Sequence, residues 1–288
     1  MTALDTFEAH RHRLVGLAYR MLGSRAEADD VVQDAYLRWH AAERADVAEP
    51  GAYLSTVVTR LCLDRMKSAQ ARREVYVGPW LPEPVVDEAF DAMSASDLAH
   101  DLSVALMLTL QRLSPLERAA FLLHDVFDLE FGEIAAALNR NEAACRQLAA
   151  RARERVRGER PRFPVSPVDS ERLAIAFRDA SRSGDPHAFM QLLAHDAVLY
   201  SDGGGKRAAA LNPIYGADKI IRFFAGVLRK NEALAAADIR PATINGMPGV
   251  VSREPDGSLG TTAFEFKDGA IVAIYVVRNP DKLRHVAF

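Results

Sequence analysis

Within FGEIAAALNRNEAACRQLAARARERVR, residues 131–157, Arg146, Ala150, Arg153 and Arg157 recur at spacings of four, three and four, with Gln147 and Arg151 beside them. Guanidinium groups at such spacings line one helix face and can bond phosphates and guanine edges. One position back, Cys145, Ala149, Ala152 and Val156 repeat the same spacing as a small apolar face. A helix of this kind lies close on a neighbour and offers its arginines outward, which is the chemistry of DNA binding. A solvated arginine-rich helix in any bundle has the same composition and stays open as the alternative at this point. A second set, His187, His195, Asp196 and Asp202, has the residue types for acid–base work. No pair among them has a spacing that demands it.

The elements that must position the arginines are legible nearby. Residues 131–138 read as a short helix with Ile134, Ala135 and Leu138 toward one side. Asn139-Arg140-Asn141 breaks it, and the Asn141 side chain can cap the next helix. Ser114-Pro115-Leu116-Glu117 is a capping box with proline at the first helical position. A lead-in helix over 99–112 carries Leu102, Leu106 and Leu110. Farther upstream, Phe7, Leu14, Leu17, Ala18 and Met21 predict an amphipathic helix over 5–22, closed by Gly23. Ser24 with Glu27 starts the next, with Val31, Val32, Ala35 and Trp39 inside. A third runs over 52–70 with Leu54, Val57, Val58, Leu61 and Leu63 as core.

The chain has 288 residues, 49% of them apolar and 26% charged, which suits two or three soluble domains. A net charge of −3 announces no nucleic-acid partner, but the distribution does. Basic stretches at 60–73 and 140–162 flank 75–111, which has no Lys or Arg. This is the pattern of two anion-binding modules joined by an acidic connector. Cys62 and Cys145 read as small core residues in a reducing compartment, not as a disulfide or metal site. With no signal peptide and no apolar run long enough to span a bilayer, a cytoplasmic protein without a membrane partner is expected.

Three ordered segments carry a family resemblance. ADDVVQDAYLRWH, 28–40, resembles the segment of bacterial sigma factors that grips core RNA polymerase. YLSTVVTRLCLDRMKSAQARR, 53–73, resembles the following segment, which melts and reads the minus-10 promoter element. LSPLERAAFLLHDVFDLEFGEIAAALNRNEAACRQLAARARERVR, 113–157, resembles sigma region 4. The pattern is that of the extracytoplasmic-function class. The resemblance implies core-polymerase contacts by Asp29, Asp30, Gln33, Asp34, Tyr36 and Trp39, toward the beta-prime clamp helices, with the beta flap as the region 4 partner. It implies minus-10 contacts by Thr59, Arg60, Asp64 and Arg65, and minus-35 contacts by Arg146, Gln147, Ala150, Arg151 and Arg153. A flipped base costs a few kcal/mol, so a pocket and cations are needed to offset it, and Arg60 sits about where the family contacts that base.

From 169 the pattern turns to helices followed by strands near 197–200, 239–244, 250–253, 261–267 and 270–277. Asn245-Gly246 and Asp268-Gly269 signal hairpins. Helices followed by a curled antiparallel sheet resemble the SnoaL-like group of the nuclear-transport-factor-2-like fold, a cone with an apolar pocket. WLPEP (Trp80, Leu81, Pro82 and on), DGGGK (Asp202, Gly203, Gly204, Gly205, Lys206) and NPDKL (Asn279, Pro280, Asp281, Lys282 and on) together resemble group 41 of the class, the sigma-J-like proteins. The resemblance implies that these strings are interdomain and regulatory, and that no separate anti-sigma factor is needed. Trp80, set among prolines, is predicted to dock on another domain. Asp281 and Lys282 are predicted to pair with the DGGGK turn or with the sigma modules.

The expected fold is therefore multidomain: two all-α sigma modules, a region 2 bundle and a region 4 helix-turn-helix, then an α+β SnoaL-like cone. The expected boundaries are 1–75 for region 2, 76–98 for an acidic linker, 99–160 for region 4, 161–168 for a second linker and 169–288 for the regulatory domain. The expected function is promoter-specific transcription initiation with core polymerase and promoter DNA as partners, without catalysis, metal or cofactor. A small apolar ligand in the cone is the one candidate small-molecule partner. The alternative is a helix-turn-helix regulator with a ligand-sensing domain, which would have no use for the polymerase-gripping segment.

Overall fold

The computed structural model describes residues 2–42, 47, 49–73, 76–86, 103–157, 176, 191–230 and 237–288. The chain forms two compact units, Met1–Glu74 with Ala89–Arg160, and Val75–Glu88 with Pro161–Phe288. The acidic stretch 87–102, the proline-marked linker 161–168 and His187 lie outside the described residues, as does most of 169–190, where helices are expected.

In the first unit, helix α1 (Ala3–Leu22) begins in a Thr2–Asp5 capping box and stops at Gly23, whose φ of 74° is the left-handed conformation that ends helices cheaply. Helix α2 (Arg25–Ala41) is capped by the Ser24 hydroxyl on the Glu27 amide at 3.1 Å. Helix α3 (Pro50–Arg73) packs on both. Leu14, Leu17, Met21, Val31, Val32, Leu54 and Val58 are buried, as the periodicity predicts.

Helices α4 (Val104–Arg112) and α5 (Pro115–Phe121) follow, the second opened by the predicted Ser114–Glu117 capping box. A π-turn over Leu122–Val126, which the sequence reading does not contain, carries the chain out of α5. Helix α6 (Phe131–Leu138) ends at Asn139 in the left-handed conformation, φ 52°. The Asn141 side chain then accepts the Ala144 amide at 2.8 Å to cap α7 (Glu142–Arg157). Cys145, Ala149, Ala152 and Val156 are all buried, the face the spacing predicts.

The second unit is α+β. One six-stranded sheet runs β2-β1-β6-β5-β4-β3, with β1 Leu193–Asp202, β2 Ile214–Tyr215, β3 Asp238–Ile244, β4 Met247–Arg253, β5 Leu259–Lys267 and β6 Ala270–Val277. Asn245-Gly246 and Asp268-Gly269 make the predicted turns, all four residues at positive φ, as the tightest hairpins require. The sheet is not wholly antiparallel as expected. β1 pairs with β6 in parallel, which strand patterning alone cannot reveal. Helix α8 (Ala217–Lys230) buries Ile220 and Ile221 in one core with Leu199, Val250, Phe264 and Ile274.

Candidate nucleic-acid interface and linker clasp

On α7, Arg146, Gln147, Ala150, Arg151 and Arg157 are exposed and Arg153 is half-buried. Four arginines of this helix each meet a carboxylate. Arg146 Nη2 donates to Glu142 at 2.5 Å, and its guanidinium lies 5.2 Å from the Phe131 ring centre. Arg153 Nε donates to Asp125 at 2.6 Å. Arg151 Nε donates to Glu117 Oε1 at 3.0 Å, while Arg155 Nη1 reaches Glu117 Oε2 at 3.3 Å. Burial works against the Glu117 charge, but hydrogen bonds from Ser114 and Arg151 win and hold its carboxyl below the ordinary range.

On α2, Asp30 and Gln33 are exposed, and Asp29 pairs with Arg25 at 3.1 Å. Arg65 of α3 reaches Asp34 at 3.1 Å and Asp30 at 3.4 Å. This arginine, itself one of the expected minus-10 residues, thus pairs with two of the expected polymerase acceptors. Tyr36 packs edge-on against Phe7. Trp39 is corrected: it is 3% exposed, with Nε1 donating to the Ala3 carbonyl at 2.9 Å, so it packs the module's own core and is withdrawn from the surface set. Leu37, which the sequence reading passed over, is 59% exposed beside Gln33. Its position off the Val31–Val32–Ala35–Trp39 stripe was the available signal.

On α3, Thr59 is corrected in the same way. It is fully buried and donates to the Ser55 carbonyl at 2.7 Å, so its hydroxyl is not presented at the surface to a base. Asp64 is exposed and pairs with Lys67 at 2.9 Å. Arg60 has left the expected free position. Its Nε donates to the Ala137 carbonyl at 3.0 Å and its Nη2 to the Ala136 carbonyl at 2.7 Å, both at the C-terminal end of α6. A cation there suits the negative end of the helix dipole. Two more arginines cross between the helical modules of this unit. Arg118, 1% exposed, donates to the Met21 carbonyl and to Gln111. Arg13 donates to the Phe127 carbonyl with its guanidinium 5.3 Å from that ring centre.

The three short strings meet inside the second unit. Asp202, fully buried, accepts from Tyr76 Oη at 2.6 Å, the Leu81 amide at 2.9 Å and Lys282 Nζ at 2.8 Å. Lys282 also donates to the Leu81 carbonyl and sits 4.2 Å from the Trp80 ring centre and 4.9 Å from that of Tyr76, an aromatic cage for a cation. Asn279 Nδ2 donates to Tyr76 Oη at 2.8 Å. Burial, and then the bond to Asp202, push the Tyr76 phenol up, so it stays protonated. Leu81, Pro82 and Gly203 are buried, Gly205 and Pro280 exposed, and Lys206 pairs with Asp281. Gly204 has φ 58°, and a Cβ there would lie 2.2 Å from Asn279 Nδ2, so only glycine fits. Downstream, Val85 and Asn245 exchange bonds at 3.1 and 2.7 Å, and a His285 ring nitrogen meets the Pro84 carbonyl at 2.7 Å. Residues 76–86 are therefore clasped along their length.

Among the described residues, the acid–base candidates do not assemble. Asp202 is consumed by Lys282, Tyr76 and Leu81, whereas His195 and Asp196 are exposed where the β1–β6 register shifts. They lie within strand β1.

Comparison with known proteins bears on both units. Residues 6–72 match sigma-70 region 2, and residues 103–156 match sigma-70 region 4. The chain is 38% identical to the ECF RNA polymerase sigma factor SigJ of Mycobacterium tuberculosis, over 97% of this chain and 92% of that protein. It is 29% identical to the probable ECF RNA polymerase sigma factor SigI of the same species, over 96% and 93% respectively. The crystal structure of the M. tuberculosis extracytoplasmic function sigma factor SigJ superposes with a TM-score of 0.76 at 36% identity, covering 98% of each chain.

Proposed function

The chain belongs to the extracytoplasmic-function family of RNA polymerase sigma factors, and from that premise we propose how its parts divide the work. As a sigma factor it joins core polymerase and directs initiation at chosen promoters. Region 2 grips core polymerase through Asp29, Asp30, Gln33, Asp34 and Tyr36, with Leu37 as the apolar contact among them. The docking surfaces on core polymerase are the beta-prime clamp helices and the beta flap. Arg60, Asp64 and Arg65 serve the minus-10 element. Arg146, Gln147, Ala150, Arg151 and Arg153 serve the minus-35 element.

The C-terminal unit modulates this activity, and one observation carries that reading: residues 76–86, which connect region 2 to region 4, are clasped by Asp202, Asn245, Asn279, Lys282 and His285. A unit that holds the connector holds the reach between the two promoter-reading modules. The Arg60 bonds agree with a resting form. Promoter elements at minus-10 and minus-35 lie roughly 25 base pairs apart, on the order of 85 Å at about 3.4 Å per base pair. Modules joined by a direct hydrogen bond have to part to reach both. Such a protein needs neither a separate anti-sigma factor nor chemistry of its own. The occupied state of Asp202 supports the second point.

Transcription by purified core polymerase on a library of random promoters tests this, with the full chain and with a chain ending after Val277. Initiation from a shared pair of elements, with output altered by loss of the tail, is the expected result. Identical output from both chains would remove the modulating role. Duplex binding without initiation would favour the helix-turn-helix regulator instead.

A further inference from the structure

We infer that Glu117 is a specificity-determining positioning residue of the recognition helix, acting by holding Arg151 in one orientation. It lies outside every set of residues expected to touch DNA, on α5 and not on α7. Its side chain is 8% exposed, whereas those of Arg151 and Arg155 are 53% and 54% exposed. A buried carboxylate therefore anchors two guanidiniums whose outer edges face solvent.

The two oxygens of Glu117 have different duties. Oε2 serves the helix start, accepting the Ser114 amide at 3.1 Å and the Ser114 hydroxyl at 2.8 Å, with Arg155 at 3.3 Å. Oε1 has Arg151 Nε at 3.0 Å. Capping needs only the first oxygen. Binding through Nε leaves the Nη1–Nη2 edge of Arg151 for a partner, and that edge is the fork that fits guanine O6 and N7. Asp125 holds Arg153 through the same atom, Nε, at 2.6 Å. Two arginines of α7 are thus fixed from behind, and a fixed fork discriminates between bases better than a mobile one, which settles on the nearest phosphate.

Glu117→Gln separates this role from capping. The one remaining oxygen goes to Ser114, and an NH2 group then faces Arg151 Nε, donor against donor. The inference rests on Arg151 meeting the minus-35 element, so the experiment tests that assignment too. Holoenzyme is reconstituted from core polymerase and the full chain, and initiation is profiled on promoters randomised at the minus-35 element. Binding to nonspecific duplex is followed against salt in parallel.

The expected result for Glu117→Gln is a preference flattened about tenfold at the base pair that Arg151→Ala also flattens. Nonspecific binding should strengthen and fall more steeply with salt, because freed guanidiniums find phosphates, each adding about one unit of slope. In an Arg151→Ala background, Glu117→Gln should flatten nothing further. A purely structural role predicts the reverse: uniform loss at all promoters, weaker nonspecific binding and additive losses. That outcome overturns the inference. If Arg151→Ala leaves the profile unchanged, the minus-35 assignment falls and the inference with it. Should Glu117→Gln lower the unfolding midpoint, Arg151→Lys keeps the charge without Nε or the fork, and the same base pair must flatten. Retained selectivity in that variant also overturns the inference.

Discussion

Two seams hold this protein's parts in place, and they are built from different chemistry. In the N-terminal unit the two helical modules meet through arginines that donate to main-chain carbonyls: Arg60 to Ala136 and Ala137, Arg118 to Met21, Arg13 to Phe127. In the C-terminal unit the connector is held by a buried ion pair, Lys282 with Asp202, inside a cage of Tyr76 and Trp80. Breaking the first returns guanidiniums and carbonyls to water, which hydrates both well, so the net cost per bond is small. Breaking the second takes Tyr76 Oη and both main-chain groups of Leu81 off a buried ion pair and uncovers the Tyr76 and Trp80 rings that cage Lys282, so its cost is larger. The first seam is suited to opening and the second to staying shut.

The sharpest way to break this contrast is Lys282→Met. It should cost about 3–5 kcal/mol in unfolding free energy, because Asp202 stays buried without its cation. Adding Asp202→Asn should recover more than half, since the uncompensated charge is then gone. Urea denaturation of both variants measures this, and a loss under about 1 kcal/mol would place Lys282 among ordinary surface pairs.

Next in size is Arg118→Met, which keeps apolar volume but removes the donors to Met21 and Gln111. About 1–3 kcal/mol is expected for loss of these bonds from a buried guanidinium. A fluorophore pair on α3 and α7 should report modules moving apart while helix content is kept. An unchanged separation would show that the seam does not depend on it. Arg60→Lys should cost about 1 kcal/mol, because a single ammonium cannot serve two carbonyls as the planar fork does. The same fluorophore pair should show a smaller opening than with Arg118→Met.

The smallest effect is a pH effect at the rim of the clasp. The hydrogen bond from Lys206 holds the Asp281 carboxyl below the usual carboxylate range, against some burial and with help from Arg284. A lowered folded value means the pair stabilises the fold above the unfolded value near pH 4 and stops doing so as pH falls through the folded one. The pair is exposed, so the gain is slight. Wild type and Asp281→Asn should differ slightly in urea midpoint at pH 7, and the gap should narrow as pH falls below about 4. A gap that widens in acid would reverse the sign assigned here.

Much of the fold was legible because it is local. Ser114–Glu117, Asn141 with its helix, and the Asn245-Gly246 turn each depend on residues a few positions apart, so their hydrogen bonds can be read off the chain. The small face of α7 was legible for the same reason, as a period fixed by helix geometry. The family strings pointed to one region without saying how they meet. Thr59 was misplaced because a residue that suits a surface by type can still face inward when neighbouring helices pack over it, whereas the burial of Trp39 follows the spacing that set it inside rather than the contact role that the resemblance implied.

The amino-acid sequence by itself determined the caps at Gly23, Ser24, Ser114 and Asn141, which face of α7 is buried, where two hairpin turns fall and the family. Tertiary structure alone decided that β1 runs parallel to β6, that Arg60 meets α6, that Glu117 stands behind Arg151 and that Lys282, expected at the DGGGK turn or the sigma modules, closes on Asp202 of that turn. Each of these joins residues far apart in the chain. A main-chain carbonyl acceptor leaves no mark on the side chain that carries it, and a buried ion pair has no period. Only the closed chain brings such partners to bonding distance.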